Sequence, residues 1–182
     1  MINLSRAWVL LWTPLLALTL AGCAVAPREL ASADGLSGRL LVKVDATQRE
    51  AAKSLSAAFE LQGNADTGRL DLVSPLGSVL ARARWSPEQV VLVTPQGETR
   101  FPDLDALTRE VLGEPLPIVA LFDWLRGRPW AGAASAATSP PADAGFEQLG
   151  WTVSLARFDE AWIAARREHA PAVSLRAKID RP

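Results

Sequence analysis

Hydrophobic and polar residues alternate along most of the chain after residue 35, which is the pattern of β-strands with one buried face. The first six stretches of this kind are 36–44, 55–61, 70–72, 79–85, 90–93 and 99–101. Glycine, proline, asparagine and aspartate residues stand between them and indicate turns. The pattern therefore predicts an antiparallel meander of about six strands, with an apolar face that covers a core or a cavity.

Two amphipathic helices are predicted after this meander. Apolar residues recur at helical spacing over 104–111, and Gly113 ends that helix. A second apolar stripe covers 118–125, where Pro117 occupies the first helical turn and Gly127 ends the helix. Because each stripe covers one side of its helix, both helices are expected to pack against the apolar face of the sheet.

The chain returns to a strand pattern near its end. Residues 128–145 are rich in Ala, Ser, Gly and Pro and are predicted to form a loop. Strands resume at Phe146 and continue at 151–156, 162–166 and 173–179. The sequence shows no internal repeat and no second domain boundary. It therefore predicts one mainly β domain, in which a curved sheet is plugged by two helices.

The interior of such a sheet is either a filled core or a ligand cavity, and residues alternate in the same way in both cases. The residue pattern therefore leaves both alternatives open. The large apolar side chains expected on the inner wall are Phe59, Leu61, Leu72, Trp85, Phe122, Trp124 and Trp151. If the interior is a cavity for acyl chains, these residues are its predicted lining.

The amino-terminal segment has the organisation of a secretory signal peptide, with an apolar run from Ala7 to Ala21 after a basic start. Cys23, the only cysteine, directly follows Leu20-Ala21-Gly22, which resembles the lipobox of bacterial lipoproteins. The resemblance implies cleavage before the cysteine and three acyl chains on it. The implied division is a signal peptide at 1–22, an acylated tether at 23–34 and a folded domain at 35–182.

An uncleaved transmembrane anchor is the alternative, but about 15 apolar residues, broken by Thr13 and Pro14, are short for a span of roughly 20. In the lipoproteins of Gram-negative bacteria, an Asp after the acylated cysteine is a signal for retention in the inner membrane. This chain has Ala24 at that position. The resemblance therefore implies a lipid anchor in the inner leaflet of the outer membrane, with the domain facing the periplasm.

Composition argues against several other functions. The chain carries 19 Lys and Arg against 20 Asp and Glu, and these charges are interspersed, so no surface for nucleic acid is predicted. His169 is the only histidine, tyrosine is absent, and no zinc or nucleotide motif occurs. Asp103 and Asp105 stand where carboxylates cap a helix. We therefore expect no catalytic residue, no metal site and no cofactor.

Three further segments resemble the LolB family of outer-membrane lipoprotein receptors, in the same order along the chain. They are 70–78 (LDLVSPLGS), 114–117 (EPLP) with 124–129 (WLRGRP), and 146–151 (FEQLGW) followed by Phe158-Asp159. The resemblance implies an unclosed antiparallel β-barrel with helices in its mouth. It also implies a monomeric receptor that accepts triacylated lipoproteins from the soluble periplasmic carrier LolA and inserts them into the outer membrane.

Leu76 stands between Pro75 and Gly77 in a predicted tight turn, where an apolar side chain has no local partner. From the residues alone, this side chain could fold back onto the sheet. The family resemblance implies instead that the loop projects and carries Leu76 toward the membrane, while Pro75 and Gly77 hold its shape. The alternative functions are a structural or assembly lipoprotein with a packed β core, and an envelope hydrolase.

Overall fold

The computed structural model describes residues 35–181, and the predicted signal peptide, Cys23 and the tether lie outside that range. The strands are β1 Leu36–Val44, β2 Lys53–Gly63, β3 Gly68–Val73, β4 Val79–Ser86, β5 Gln89–Thr94, β6 Gly97–Phe101, β7 Ser135–Ala137, β8 Gly145–Gln148, β9 Trp151–Ser154, β10 Trp162–Arg167 and β11 Val173–Ile179. The helices are α1 Leu104–Leu112 and α2 Ile118–Trp124, and a 3-10 turn covers Phe158–Glu160. In this part of the chain, no helix is long and apolar enough to cross a bilayer.

The strands form one antiparallel sheet of 11 strands, in the order β6-β5-β4-β3-β2-β1-β11-β10-β9-β8-β7. The last strand lies beside the first, with Leu175 opposite Val42 and Ala177 opposite Leu40. Within residues 35–181, β6 and β7 are the two edges and do not pair with each other. The sheet is therefore not closed, which confirms the predicted unclosed antiparallel β-barrel.

Alternate residues along the strands share one buried face, as the pattern predicts. On β1, Val42 and Val44 are buried, whereas Arg39 and Lys43 on the other face are exposed. Both helices pack on the buried face and add their apolar residues to the same core. The core therefore lies between the inner face of the sheet and the two helices.

Helix α1 follows its sequence signals at both ends. The Asp103 carboxylate accepts a hydrogen bond from the backbone N–H of Ala106 at 2.7 Å, which caps the first turn. Gly113 has a φ of 84° and its N–H donates to the Arg109 carbonyl at 2.8 Å, which ends the helix. Val111 differs from the prediction, because it belongs to the apolar stripe and yet is 44% exposed.

Five connections lie at the same end of the sheet, because neighbouring strands run in opposite directions. They are 45–52, 74–78, 95–96, 149–150 and 168–172, and this end of the sheet is called the rim. Helix α1 also ends at the rim, since a Cβ added to Gly113 would lie 3.0 Å from Nζ of Lys53, the first residue of β2. Strand β1 begins at the opposite end, at Leu36.

The segment 128–145 differs from the predicted loop, because it contains strand β7. Ser135–Ala137 pair with Phe146 to Gln148 of β8 at the edge of the sheet. All three side chains of β7 are exposed and small, so the strand is held by backbone hydrogen bonds and not by an apolar face. For that reason the alternation of residues could not reveal it, and the loop prediction was wrong for these three residues.

Candidate lipid-binding site

An apolar cavity of about 90 Å³ lies between the sheet and the two helices. The sheet lines it with Leu40, Val42, Leu55, Phe59, Leu61, Leu70, Leu72, Ala81, Ala83, Leu92 and Leu175. The helices and the residues next to them add Leu104, Leu107, Thr108, Val111, Leu112, Leu116, Ile118, Leu121 and Leu125. Because all of these residues except Thr108 are apolar, the cavity is suited to hydrocarbon and offers no charged group to a ligand.

Thr108 brings the only hydroxyl into this lining, and that hydroxyl is occupied by the protein itself. Its Oγ1 donates to the Leu104 carbonyl at 3.1 Å and accepts a hydrogen bond from the N–H of Leu116 at 2.9 Å. The group therefore needs no water in the cavity, and it ties the α1–α2 connection to α1. Thr108 was not predicted from the sequence, in which its only signal is its place beside Leu107 in an apolar stripe.

Three of the seven predicted lining residues line this cavity, namely Phe59, Leu61 and Leu72. Trp85 and Phe122 lie beside it in the core, where their rings meet edge to face with centroids 5.8 Å apart. The Trp85 indole N–H donates to the Asn64 carbonyl at 3.1 Å, which fixes the ring. These two aromatic residues therefore border the cavity region as packed core, and they do not form its wall.

Trp124 and Trp151 also lie outside the lining, in a second aromatic cluster beneath the end of α2. Their ring centroids are 6.1 Å apart, and Phe146 lies 6.3 Å from Trp124. Trp124 is only 1% exposed. The interior therefore has an aromatic half, which is filled, and an aliphatic half beneath α1, which holds the cavity.

The side-chain amide of Gln148 organises the aromatic half. Its Oε1 accepts hydrogen bonds from the Trp124 indole at 2.8 Å and from the backbone N–H of Trp130 at 2.9 Å. Its Nε2 donates to the carbonyls of Trp130 and Ala133 at 2.7 and 2.8 Å. All four bonds of this buried amide are satisfied, so α2 and the loop after it are fixed to β8. Gln148 was not predicted from the sequence, although it is a polar residue at an inward position.

An ion pair joins the connection between the helices to the sheet. Arg167 on β10 is buried, and its Nη2 donates to the Glu114 carboxylate at 2.5 Å. The guanidinium also lies 5.7 Å above the ring of Trp151. Because Glu114 is the second residue after α1, this pair holds the end of that helix near the rim. This pair was not predicted from the sequence, since its members are 53 residues apart.

Leu76 stands at the tip of the β3–β4 loop and is 94% exposed, so it does not fold back onto the sheet. The N–H of Ser74 donates to the Ser78 carbonyl at 2.8 Å, and the N–H of Gly77 donates to the Ser74 carbonyl at 2.9 Å. Gly77 has a φ of 83°, a conformation that glycine adopts readily, and Pro75 is exposed beside Leu76. The loop therefore presents an apolar side chain from a hydrogen-bonded turn.

A buried carboxylate stiffens the hairpin that carries this loop. Asp71 on β3 is 4% exposed and accepts two hydrogen bonds from Arg82 on β4, at 2.6 and 2.9 Å. The Nε of Arg69 lies 3.5 Å from the same carboxylate. A two-point contact between guanidinium and carboxylate fixes both groups in orientation. It therefore ties β3 to β4 just below the projecting loop.

Titratable groups contribute little to this site. Within residues 35–181, no group of three or more His, Cys, Asp or Glu side chains could hold a metal ion. His169 lies exposed in the β10–β11 connection. The hydrogen bond from Arg157 lowers the pKa of the Glu160 carboxyl, but both side chains are exposed and neither lines the cavity. The candidate site is therefore defined by apolar surface.

The fold and the site place the chain in the class of unclosed β-barrels with a helix-covered, apolar interior. A family model described as outer membrane lipoprotein LolB matches residues 35–178. Because this match covers most of the chain, the chain belongs to the LolB family of outer membrane lipoproteins. This result confirms the predicted family and the predicted localisation at the outer membrane.

Individual relatives agree with the family match. The chain is 34% identical over 180 residues to the outer-membrane lipoprotein LolB of Bordetella pertussis, covering 92% of this chain and 90% of the relative. It is 37% identical over 154 residues to LolB of Thiobacillus denitrificans, with 79% and 80% covered. LolB of Chromobacterium violaceum is 33% identical over 151 residues, with 78% and 79% covered. The similarity therefore extends far beyond the short motifs.

Proposed function

We propose that this protein is a receptor, anchored to the outer membrane through an acylated Cys23, that accepts triacylated lipoproteins from the soluble carrier LolA. It then releases them into the outer membrane. Family membership supports the location, and the apolar cavity supports the handling of acyl chains. The cavity is the observation that carries the proposal, because its walls can stabilise hydrocarbon and little else.

The chemistry of the cargo explains why a protein must shield it. Three acyl chains of about 16 carbons, at about 0.8 kcal/mol per methylene, cost tens of kcal/mol when they are exposed to water. A lipoprotein therefore crosses the periplasm only while bound. Handover then requires that the receptor bind the chains more tightly than the carrier does, and that the bilayer bind them more tightly still.

The size of the cavity sets a condition on this mechanism. A volume of about 90 Å³ is smaller than the engineered cavity of roughly 150 Å³ that takes up benzene, so three acyl chains do not fit. The proposal therefore includes an outward movement of α1 that enlarges the aliphatic half. Val111 supports this direction of movement, because it lines the cavity and yet is 44% exposed. The interior is thus already close to solvent at the last turn of α1.

The polar contacts of the two helices support a movement of α1 and not of α2. The end of α2 is fixed to β8 through the four hydrogen bonds of Gln148. The end of α1 is held by the packing of Leu112 in the core and by the ion pair between Glu114 and Arg167, whereas the Thr108 hydroxyl bonds to α1 itself and to the connection after it. We therefore propose that α1 and the connection after it open, while the aromatic half keeps its packing.

The Leu76 loop is proposed to bring the cavity to the membrane. The loop lies at the rim, as does the end of α1 that borders the cavity. An exposed leucine gains about 1.5–3 kcal/mol when it is removed from water, which is enough to favour contact with lipid. In this proposal Pro75 and Gly77 hold the turn that keeps the side chain exposed.

A second candidate function is favoured by the small volume and by the filled aromatic half. In that case the protein is a structural or assembly lipoprotein whose core stays packed, and it binds no acyl chains. The two candidates differ in one property, which is the uptake of hydrocarbon into the interior.

Binding of a fluorescent fatty acyl probe separates the two candidates. The probe is titrated into the soluble domain that begins at residue 24, and palmitate is then added as a competitor. The receptor proposal predicts saturable binding at micromolar concentrations that palmitate displaces. Absence of saturable binding in this range would contradict the receptor proposal and support the packed-core function.

A further inference from the structure

The exposed apolar residues of the domain are gathered at one end of the sheet. Among residues 35–181, the large hydrophobic side chains that are exposed are Leu76, Val79, Leu80, Val111 and Leu149. All of them lie at the rim: two connections carry Leu76 and Leu149, β4 begins with Val79, and α1 ends just after Val111. Single exposed hydrophobic residues scattered over a surface are ordinary, but a restriction to one end indicates a contact surface.

Leu149 occupies a position that costs conformational energy. It is the first residue of the two-residue β8–β9 turn, with a φ of 53°, and Gly150 after it has a φ of 76°. Turns with two positive φ values favour asparagine or glycine, and a bulky side chain at such a position is strained. Leu149 is also 46% exposed, so burial in the core does not explain it. Folding alone therefore gives no reason for a leucine here.

We propose that Leu149 is a second lipid-contacting side chain, and that Leu76 and Leu149 together dock the rim on a bilayer surface. This inference rests on the proposed function, because the Leu76 loop is taken as the first of the two membrane contacts. Leu149, which is strained, exposed and apolar at the same end of the sheet, is the second membrane contact.

The distance between the two turns explains what a second membrane contact adds to the first. Six strand spacings separate the β3–β4 loop from the β8–β9 turn, which is roughly 29 Å along the curved sheet at about 4.8 Å per strand. A single inserted side chain allows the domain to pivot on the membrane. Two contacts on separate parts of the rim limit the tilt, and thereby hold the part of the cavity near Val111 close to the lipid.

The length of chain before the domain is compatible with this orientation. Residues 23–34 can extend by at most about 3.3–3.6 Å each, or roughly 40 Å in total. Strand β1 has 9 residues and spans roughly 30 Å from Leu36 toward the rim. A lipid anchor on Cys23 can therefore lie in the same bilayer that the rim contacts, although β1 begins at the opposite end.

The test measures how deeply single positions enter the bilayer. Cys23 is the only native cysteine and is acylated in the mature protein under this proposal, so an added cysteine can be labelled alone. Leu149→Cys, Leu76→Cys and Glu88→Cys are labelled with an environment-sensitive fluorophore. The acylated proteins are reconstituted into phosphatidylethanolamine and phosphatidylglycerol vesicles that contain a lipid-attached quencher. Glu88 is the control, because it is exposed on the β4–β5 turn at the opposite end.

We expect the fluorescence emission of the labels at positions 149 and 76 to shift to the blue and to be quenched. The emission of the label at position 88 is expected to show neither change. Quenching at 76 without quenching at 149 would overturn the inference and leave the proposed function intact. Absence of quenching at both positions would overturn the membrane contact in the proposed function as well. Shielding of 149 only after the soluble carrier is added would assign this residue to a protein contact and also overturn the inference.

A substitution at the same position separates lipid contact from turn structure. Leu149→Asn suits the positive φ and is expected to raise the melting temperature, while delivery of cargo into vesicles falls about tenfold. Leu149→Met keeps an apolar side chain and is expected to retain delivery within about twofold. If Leu149→Asn delivers cargo as well as the unchanged protein, the leucine has no role in lipid contact.

Discussion

Leu76→Glu is the substitution that separates acceptance of cargo from its delivery. Leu76 is 94% exposed, so its replacement is expected to change the free energy of unfolding by no more than about 0.5 kcal/mol. In lipid, the leucine gains about 1.5–3 kcal/mol, which a charged carboxylate does not. Because 1.4 kcal/mol corresponds to a factor of ten, delivery into the membrane is expected to fall about ten- to a hundredfold.

The assay follows the two steps separately. Carrier loaded with a labelled lipoprotein is mixed with the receptor, and the fraction of label that moves to the receptor measures acceptance. Vesicles are then added, and flotation measures delivery. We expect acceptance by Leu76→Glu to stay within about twofold of the unchanged protein. Leu76→Phe serves as the matched control, because it keeps an apolar side chain at the same place and is expected to retain delivery.

Three results would contradict the proposed role of Leu76. A strong loss of acceptance by Leu76→Glu would show that the loop contacts the carrier. A fall of several degrees in melting temperature would show that Leu76 supports the fold, in spite of its exposure. Equal delivery by the Glu and Phe variants would show that the loop has no role at the membrane.

Three other substitutions address the interior. Ala81→Leu fills part of the cavity and is expected to weaken acyl-probe binding by about threefold or more in a fluorescence titration. Ala58→Leu, on the outer face of β2, is the control and is not expected to weaken binding. Equal effects of the two substitutions would argue against binding in the cavity. Glu114→Gln leaves the buried Arg167 without its counter-charge and is expected to lower the free energy of unfolding, measured by urea denaturation, by about 1–3 kcal/mol. It is also expected to speed uptake of the acyl probe in stopped-flow measurements. Unchanged values would contradict the role of this ion pair in holding α1. Gln148→Ala leaves buried polar groups unpaired and is expected to lower the free energy of unfolding by about 2–4 kcal/mol. The affinity for the acyl probe is expected to stay within about twofold. A large loss of affinity would place acyl chains in the aromatic half.

The strands and turns of this fold follow closely from the residue pattern. In β1, the alternation of Val42 and Val44 with exposed residues marks a strand with one buried face, because side chains point to opposite sides in turn. Asp103 and Gly113 likewise mark the ends of α1, since one accepts from the first turn and the other adopts a positive φ. These signals are local, so a single sequence carries them.

The order of the strands is not local and could not be predicted in this way. The pairing of β11 with β1 depends on contacts between residues that are far apart in the sequence, such as Val42 and Leu175. The short strand Ser135–Ala137 was missed for a related reason. It is held by backbone pairing with β8, and its small exposed side chains carry no pattern.

The candidate site was predicted only in part. Alternation assigns a residue to the inner face, but it does not give the position of that residue along a curved sheet. Phe59 and Leu72 line the cavity, whereas Trp151 on β9 lies on the same inner face and, with Trp124 of α2, fills the neighbouring half of the interior. The amide of Gln148 was also missed, because its four partners are assembled by the tertiary fold.

Crosslinking of cargo acyl chains to the interior shows whether the cavity takes up hydrocarbon during transfer. A photoreactive amino acid is placed at Phe59 or Leu72 in the cavity, and at Ala58 on the outer face, and carrier loaded with acyl-labelled lipoprotein is added. If acyl chains enter the cavity, the labelled chains attach to positions 59 and 72 after transfer and not to position 58. Transfer without attachment at 59 and 72, or with equal attachment at 58, would contradict uptake of the chains by the cavity.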